Sequence, residues 1–259
     1  MNTIFWPKDK NGNLKSLSSW NKVENRYKKI IEDVKEVYLA NINNDNIVSI
    51  YIIGSITTGN AKYGISDIDS FVLVKNEQVD NNWIKEESEI ISQNYKCVSK
   101  VGLKVVPIEE VLKQKDVFKA FLIKTQGLCI YGEDLNYKLP KFKPDREIAL
   151  PKITKFSKYI KEAREAILVE DDVDKIKLLC RKYNKVLIRT AGLLVIEKTH
   201  EYSNDVNTCL SLFLKYYPEF ENDLTYSLDL VENPISDKEI IITHLEKMKD
   251  KFSPIIDRF

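Results

Sequence analysis

The sequence predicts an α+β protein: an N-terminal mixed sheet with flanking helices, followed by a C-terminal α-helical bundle. Three observations lead there. Apolar runs of strand length at residues 47–53 (IVSIYII), 69–75, 98–106 and 128–131 alternate with segments of helical period. Pro140, Pro144 and Pro151, three of the eight prolines, then fall in a stretch with little periodicity, 132–151, which reads as a crossover between domains. Beyond it nearly every apolar stripe keeps 3/4 spacing. The domains are therefore expected at 1–140 and 141–259.

Taken in order, Val23, Tyr27, Ile30, Val34 and Val37 predict a first helix over residues 21–39, with Asn21 and Glu24 as a capping box. The strand at 47–53, a loop and the strand at 69–75 follow, then a polar helix near 82–93 and a strand near 98–106. Pro107 suits the first turn of a helix over 108–125. A short strand, 128–131, ends at Gly132. In the second half, Ile153, Phe156, Ile160, Ala163 and Ile167 mark one helix. Ile176, Leu179, Tyr183, Val186 and Leu187 mark a second that continues through 193–196. Val206, Leu210, Phe213 and Tyr217 mark another, ended by Pro218. Ser236 and Glu239 are expected to cap a last one carrying Ile240, Leu245 and Met248. Asp172 and the Ser203-Asn204-Asp205 cluster are expected N-caps.

Composition narrows the function classes. The 40 basic and 39 acidic residues leave a formal net charge of +1, so there is no global attraction to nucleic acid or anionic membrane. No apolar run approaches a membrane span, and residues 1–15 lack a signal-type apolar core, so a cytoplasmic location is expected. Cys97, Cys129, Cys180 and Cys209 are scattered without a C-x-x-C pair, and His200 and His244 lie far apart, which disfavours zinc or disulfides. Residues 9–13 (DKNGN) lack the spacing and terminal glutamate of a calcium loop and read as a turn. Trp6, Trp20 and Trp83 read as packing.

The most informative stretch is residues 54–69, GSITTGNAKYGISDID. Gly54 and Ser55 end one apolar run, and Asp67 and Asp69 open the next. Carboxylates spaced i, i+2 on an extended chain project from one face, and two hard oxygen donors suit a divalent cation such as Mg²⁺. The Gly-Ser turn can offer backbone N–H groups to a phosphate. A metal beside a phosphate cradle points to phosphoryl or nucleotidyl transfer. Ser66 is expected to hold the turn rather than touch substrate.

This pattern resembles the signature of the nucleotidyltransferase superfamily built on the DNA polymerase β type of catalytic domain: Gly-Ser, a loop of this length, then Ser-Asp-Ile-Asp. The two-part layout is similar to that of the aminoglycoside and lincosamide adenylyltransferases, which bind substrate between a catalytic and a helical domain. Segments 127–140 and 184–218 are also similar to other proteins of the superfamily. The resemblance implies that Asp67 and Asp69 are catalytic and bind Mg²⁺. It implies too that Gly54 and Ser55 hold the triphosphate of ATP or another NTP. AMP would then pass from ATP to a hydroxyl of a small molecule, releasing pyrophosphate. A toxin-like enzyme acting on protein or tRNA, and a non-catalytic nucleotide-binding regulator, are the alternatives; no membrane partner is expected, and the oligomeric state stays open.

One part of the family pattern is missing. The third carboxylate belongs on the next strand, where this chain has VSKVGLKVV with Gly102 at the matching position. Three explanations stay open: a base from elsewhere (Glu109, Glu110, Glu162 or Glu165), a different register, or binding without fast turnover. Lys104, on the same strand face, can contact phosphate or stand as an exposed structural lysine. Arg181, Lys185 and Arg189 form an i, i+4, i+8 basic ridge, either a solvated face or, as the family implies, a grip on the triphosphate, with Lys185 and Arg189 the preferred pair. Glu133 and Asp134 are candidates to meet a cationic or polyhydroxylated acceptor, and Tyr202 is a candidate substrate-facing aromatic.

Overall fold

A computed structural model describes residues 3–76 and 79–259. The chain divides into two compact units: Leu14–Phe142, and Lys143–Phe259 together with the N-terminal residues up to Asn13. The first is mixed α/β and the second helical, so the α+β class expected from the sequence is the one observed.

In the α/β unit the elements run α1 (Asn25–Asn41), β1 (Ile47–Ile53), α2 (Ser55–Thr58), β2 (Ile68–Val74), α3 (Trp83–Asn94), β3 (Val101–Pro107), α4 (Ile108–Leu112), α5 (Val117–Gln126) and β4 (Leu128–Gly132). The four strands lie in the order β3-β2-β1-β4. β1 is antiparallel to both β2 and β4, while β2 and β3 are parallel. Tyr27, Ile30, Ile31, Val34 and Tyr38 of α1 pack onto Ile50, Ile52, Ile68, Val72, Val74, Val101 and Leu103. The alternate residues Tyr51, Phe71 and Leu73 lie on the other face, where α5 packs against β1. Coverage of both faces explains why β1 and β2 read as unbroken apolar runs rather than alternating ones. The unit's two ends are clipped together, Leu14 N–H donating to Phe142 C=O at 2.8 Å.

Tyr38 is inserted into the β2–β3 pairing. Its buried hydroxyl accepts the Lys104 N–H at 2.8 Å and lies 3.3 Å from Ser70 C=O, bridging the two strands. Ser70 Oγ sits 2.9 Å from the same hydroxyl and donates to Gly102 C=O at 3.0 Å. Burial, reinforced by the nearby Asp69 charge, pushes the Tyr38 phenol well above its ordinary value and keeps it protonated.

Several local expectations are corrected. The first helix starts at Asn25, with Glu24 at the N-cap; a 3-10 turn, Trp20–Lys22, capped by Ser19 occupies the stretch where the Asn21–Glu24 capping box was expected. The single helix over 108–125 is broken into α4 and α5, because Gln114 takes a left-handed backbone (φ +53°) and Asp116 caps a new start through the Lys119 N–H. The third strand begins at Val101.

In the helical unit the elements are α6 (Arg146–Ile153), α7 (Phe156–Val169), α8 (Val173–Leu194), α9 (Ile196–Thr199), α10 (Val206–Leu214), α11 (Glu221–Glu232) and α12 (Lys238–Ile256). Pro151 lies inside α6 rather than in a linker, two residues from its end. The helix α11 went unread in the sequence, and Asp237 rather than Ser236 caps α12, through the Ile240 N–H. Asp172 and Asp205 cap α8 and α10 as expected. α8 is the axis, packing on α7, α10, α11 and α12. A cluster of Phe156, Phe213, Phe220 and Phe252 closes one end, with ring centroids 5.3–5.6 Å apart.

The first residues are part of this unit. Ile4 N–H donates to Thr208 Oγ1 at 2.9 Å, Trp6 N–H donates to Tyr202 C=O at 2.8 Å, and Lys8 pairs with Glu201 at 2.6 Å. Tyr202 is buried against the Trp6 ring and donates its hydroxyl to Asn204, so the substrate-facing role expected of it is not what its packing shows. The 9–13 segment is a turn in which Asp9 Oδ1 accepts the N–H groups of Asn11 and Asn13. No helix among the described residues is long and apolar enough to cross a membrane.

His244 of α12 is buried with Nε2 2.7 Å from Ser227 Oγ. Burial pushes its imidazole down to about 4, Asp223 acting against the shift and Lys247 with it. The unfolded chain therefore binds a proton near pH 6.5 that the fold does not accept until about pH 4. The stability this contributes is full above pH 6.5 and lost as pH falls. Thermal melts from pH 7 to 5 should show a falling Tm in the native chain and a flatter profile in His244→Gln.

Candidate nucleotide and metal site

The site is built at one end of β1 and β2. Antiparallel pairing sets Ile53 opposite Asp69, so Gly54, the residue after β1, turns beside the start of β2 where Asp67 and Asp69 lie. Ile68, between the two carboxylates, is fully buried, while Asp67 is exposed and Asp69 half-exposed, the alternation expected of an extended chain. Gly54 has φ +101° and ψ −146°, a conformation essentially closed to other residues, and the space a Cβ would enter is open. The chain enters α2 directly after it, and the first N–H groups of a helix have no intrahelical partner.

Side chains and backbone fasten this turn from three sides. Thr57 Oγ1 lies 2.9 Å from Gly54 C=O and 2.7 Å from Gln126 C=O at the end of α5. Ser19 N–H donates to Thr57 C=O at 3.0 Å. The loop carrying Asp67 is zipped to the segment before β3: Gly64 N–H donates to Cys97 C=O, Ser99 N–H to Ser66 C=O and Ile68 N–H to Lys100 C=O, at 2.9–3.0 Å. Ser66 Oγ accepts the Lys62 N–H at 2.8 Å, the turn-holding role read from the sequence. Arg26 stacks over Tyr63 in the same loop, 5.6 Å from its centroid.

β3 supplies the other wall. Parallel pairing sets Gly102 directly beside Asp69, so a register difference does not account for the missing acid. The Asp69 carboxylate leans over Gly102: a Cβ there would stand 2.5 Å from Asp69 Oδ1. Lys104, two pairs further along on the same face, reaches back over the Phe71 ring (5.4 Å to its centroid) and places Nζ 3.8 Å from Asp69 Oδ1. Two carboxylates suit one divalent ion whose remaining ligands are phosphate oxygens and water. Among the described residues no group of three His, Cys, Asp or Glu side chains comes together.

The other candidates fare differently. Glu109 and Glu110 lie on α4, past the far end of β3; the five-residue rise from Gly102 to Pro107 alone spans roughly 16 Å, so neither is a base at Asp69. Both are taken up locally, Glu109 by Lys113 at 2.9 Å and Glu110 by Lys119 at 2.5 Å. Glu133 and Asp134 follow Gly132, which pairs with Ser49 at the end of β1 away from Gly54. Glu133 pairs with Lys138 at 2.8 Å, and Asp134 accepts the buried Tyr51 hydroxyl at 3.0 Å while capping the next turn; both carboxylates are exposed. Glu162 and Glu165 are on α7 of the helical unit, 3.8 and 3.9 Å from Lys158 and Lys161.

The basic ridge lies on α8 of the helical unit. Arg181 Nε donates to Val231 C=O and Arg189 Nε to Asn204 C=O, both at 2.9 Å, so these guanidiniums tie α8 to the end of α11 and to the loop before α10. Lys185, between them, is half-buried.

The α/β unit thus carries a Gly-Ser turn at the mouth of one strand and two carboxylates opening the next. Residues 27–125, spanning α1 to the end of α5, match the family described as nucleotidyltransferase domain. That match covers the residues that carry the superfamily resemblance, 54–69, and agrees with it. No curated protein matches the chain.

Proposed function

We propose that the chain is a Mg²⁺-dependent nucleotidyltransferase that moves a nucleoside monophosphate, AMP from ATP, onto a hydroxyl of a small acceptor such as an aminoglycoside- or lincosamide-like compound. The observation that supports this best is the Ile53–Asp69 pairing, which puts the Gly54-Ser55 turn and the Asp67/Asp69 pair at one place. In this reading Asp67 and Asp69 hold the cation, and the backbone N–H groups at Gly54 and Ser55, with the Ser55 hydroxyl, hold the β- and γ-phosphates. When bound, the cation neutralises charge on the α-phosphoryl group and on departing pyrophosphate. The acceptor oxygen bonds to the α-phosphorus as the bond to the α,β-bridging oxygen breaks, pyrophosphate leaves, and the hydroxyl proton passes to solvent. Gly102 offers no carboxylate for the acceptor proton. That favours one second reading: a regulator that binds nucleotide and turns it over slowly or not at all.

The test is incubation with α-labelled ATP, Mg²⁺ and separate pools of antibiotics, tRNA and cell protein, with Asp67→Ala/Asp69→Ala as control. Label on a small molecule, absent from the control, is the expected result. Label on tRNA or protein would point to a toxin-like enzyme, and Mg²⁺-dependent ATP binding without transfer to the regulator. Lys185 and Arg189 are assigned to the triphosphate in the same reading. Arg189→Ala should weaken ATP binding roughly tenfold, the scale of one charge-assisted hydrogen bond; Arg189→Lys, which keeps the charge, should lose less. Unchanged affinity in Arg189→Ala would leave Arg189 only its bond to Asn204.

A further inference from the structure

We infer that Lys104 is a built-in cation that takes the place of a second metal, so that the site holds a single divalent ion. This rests on the reading of Asp67 and Asp69 as a metal site and adds which charges complete it. Three features carry the inference. Gly102 stands beside Asp69 where a third carboxylate would be needed, and the Asp69 carboxylate leans into the space its Cβ would fill. The Lys104 ammonium lies 3.8 Å from Asp69 Oδ1, so a fixed positive charge already stands beside one of the two carboxylates. Tyr38 anchors the backbone by accepting the Lys104 N–H, and the exposed side chain runs over the buried Phe71 ring, 5.4 Å from its centroid. Two carboxylates, one divalent ion and one ammonium carry the same net charge, one positive unit, as three carboxylates with two divalent ions. A second divalent ion beside Asp69 would meet the ammonium at close range without a third carboxylate to offset the repulsion. A fixed ammonium can instead stabilise negative charge on a phosphate oxygen directly.

The test is a count of Mn²⁺ ions bound per chain, by calorimetry and electron paramagnetic resonance, with a non-cleavable α,β-methylene ATP analogue. One ion is expected in the native chain and in Lys104→Arg. Lys104→Met should keep one ion and bind the analogue at least tenfold more weakly at saturating Mn²⁺. Lys104→Glu, which puts a third carboxylate in place of the ammonium and leaves Gly102 untouched, should bind two. Two ions in the native chain, or Lys104→Met with unchanged analogue affinity, would overturn the role of Lys104 while leaving the metal site standing. Loss of all analogue-dependent Mn²⁺ binding, equal in the native chain and Asp67→Ala/Asp69→Ala, would instead remove the metal reading itself and this inference with it.

Discussion

Asp69→Ala should reduce nucleotide transfer by roughly a thousandfold or more while leaving the fold intact. On the proposed function, the size follows from losing one of two oxygen donors that would fix the charge opposite the reacting phosphoryl group, where even one misplaced donor costs about 10²–10³ in rate. Stability should change little, because the side chain is half-exposed and its lysine pair is a surface one, 3.8 Å apart, of a kind worth about 0–1 kcal/mol. The measurement is label transfer at saturating ATP, beside a thermal melt on the same sample. Transfer near the native rate with an unchanged melt would remove Asp69 from the site.

Gly132→Ala should be the most damaging single methyl group in the α/β unit. Gly132 closes β4 with φ +77°, and a Cβ there would stand 2.1 Å from Val48 C=O, a backbone atom that cannot swing aside. Left-handed strain of about 1–2 kcal/mol adds to about 1–3 kcal/mol for forcing the strands apart. The sum corresponds to a Tm lower by roughly 5–15 °C. Gly12→Ala is the control: its φ is +81°, but nothing lies within 4 Å of the added carbon, so only the strain remains. Equal losses in the two variants would show that the close approach to Val48 costs nothing.

What the sequence disclosed was mostly what is local in the chain. The Gly54 turn, the Asp67/Asp69 pair and the strands on either side all sit within residues 47–74, so apolar runs and turn chemistry were enough to place them. Pairing across the sheet is a different matter. Gly102 could be matched to the family's missing acid, but that Asp69 leans over it and that Lys104 turns back to meet Asp69 follow only from the parallel register of β2 and β3. Glu109 and Glu110 were plausible by proximity in sequence, and a strand's length of rise removes them. Arg181 and Arg189 have the i, i+4, i+8 spacing of a solvated or anion-binding ridge; their main-chain acceptors lie 50 and 15 residues away, beyond the reach of any periodicity. The α4–α5 break escaped because helical period ran through it and only the backbone of Gln114 betrays it.

In chain order the α/β unit is an insertion within the helical one, and the clip between Leu14 and Phe142 makes its entry and exit neighbouring points. Its own closure entropy is thereby spent on a short, hydrogen-bonded neck, and residues 14–142 form a cassette that can in principle be excised, or reopened at another loop, without unthreading its sheet. The helical unit has the opposite character. Its fold is discontinuous in the chain, because Ile4, Trp6 and Lys8 are made first and dock on Thr208, Tyr202 and Glu201, which are made some two hundred residues later. During synthesis the α/β unit can be complete while the helical unit still waits for its second half, so the order of folding is written into the order of the chain.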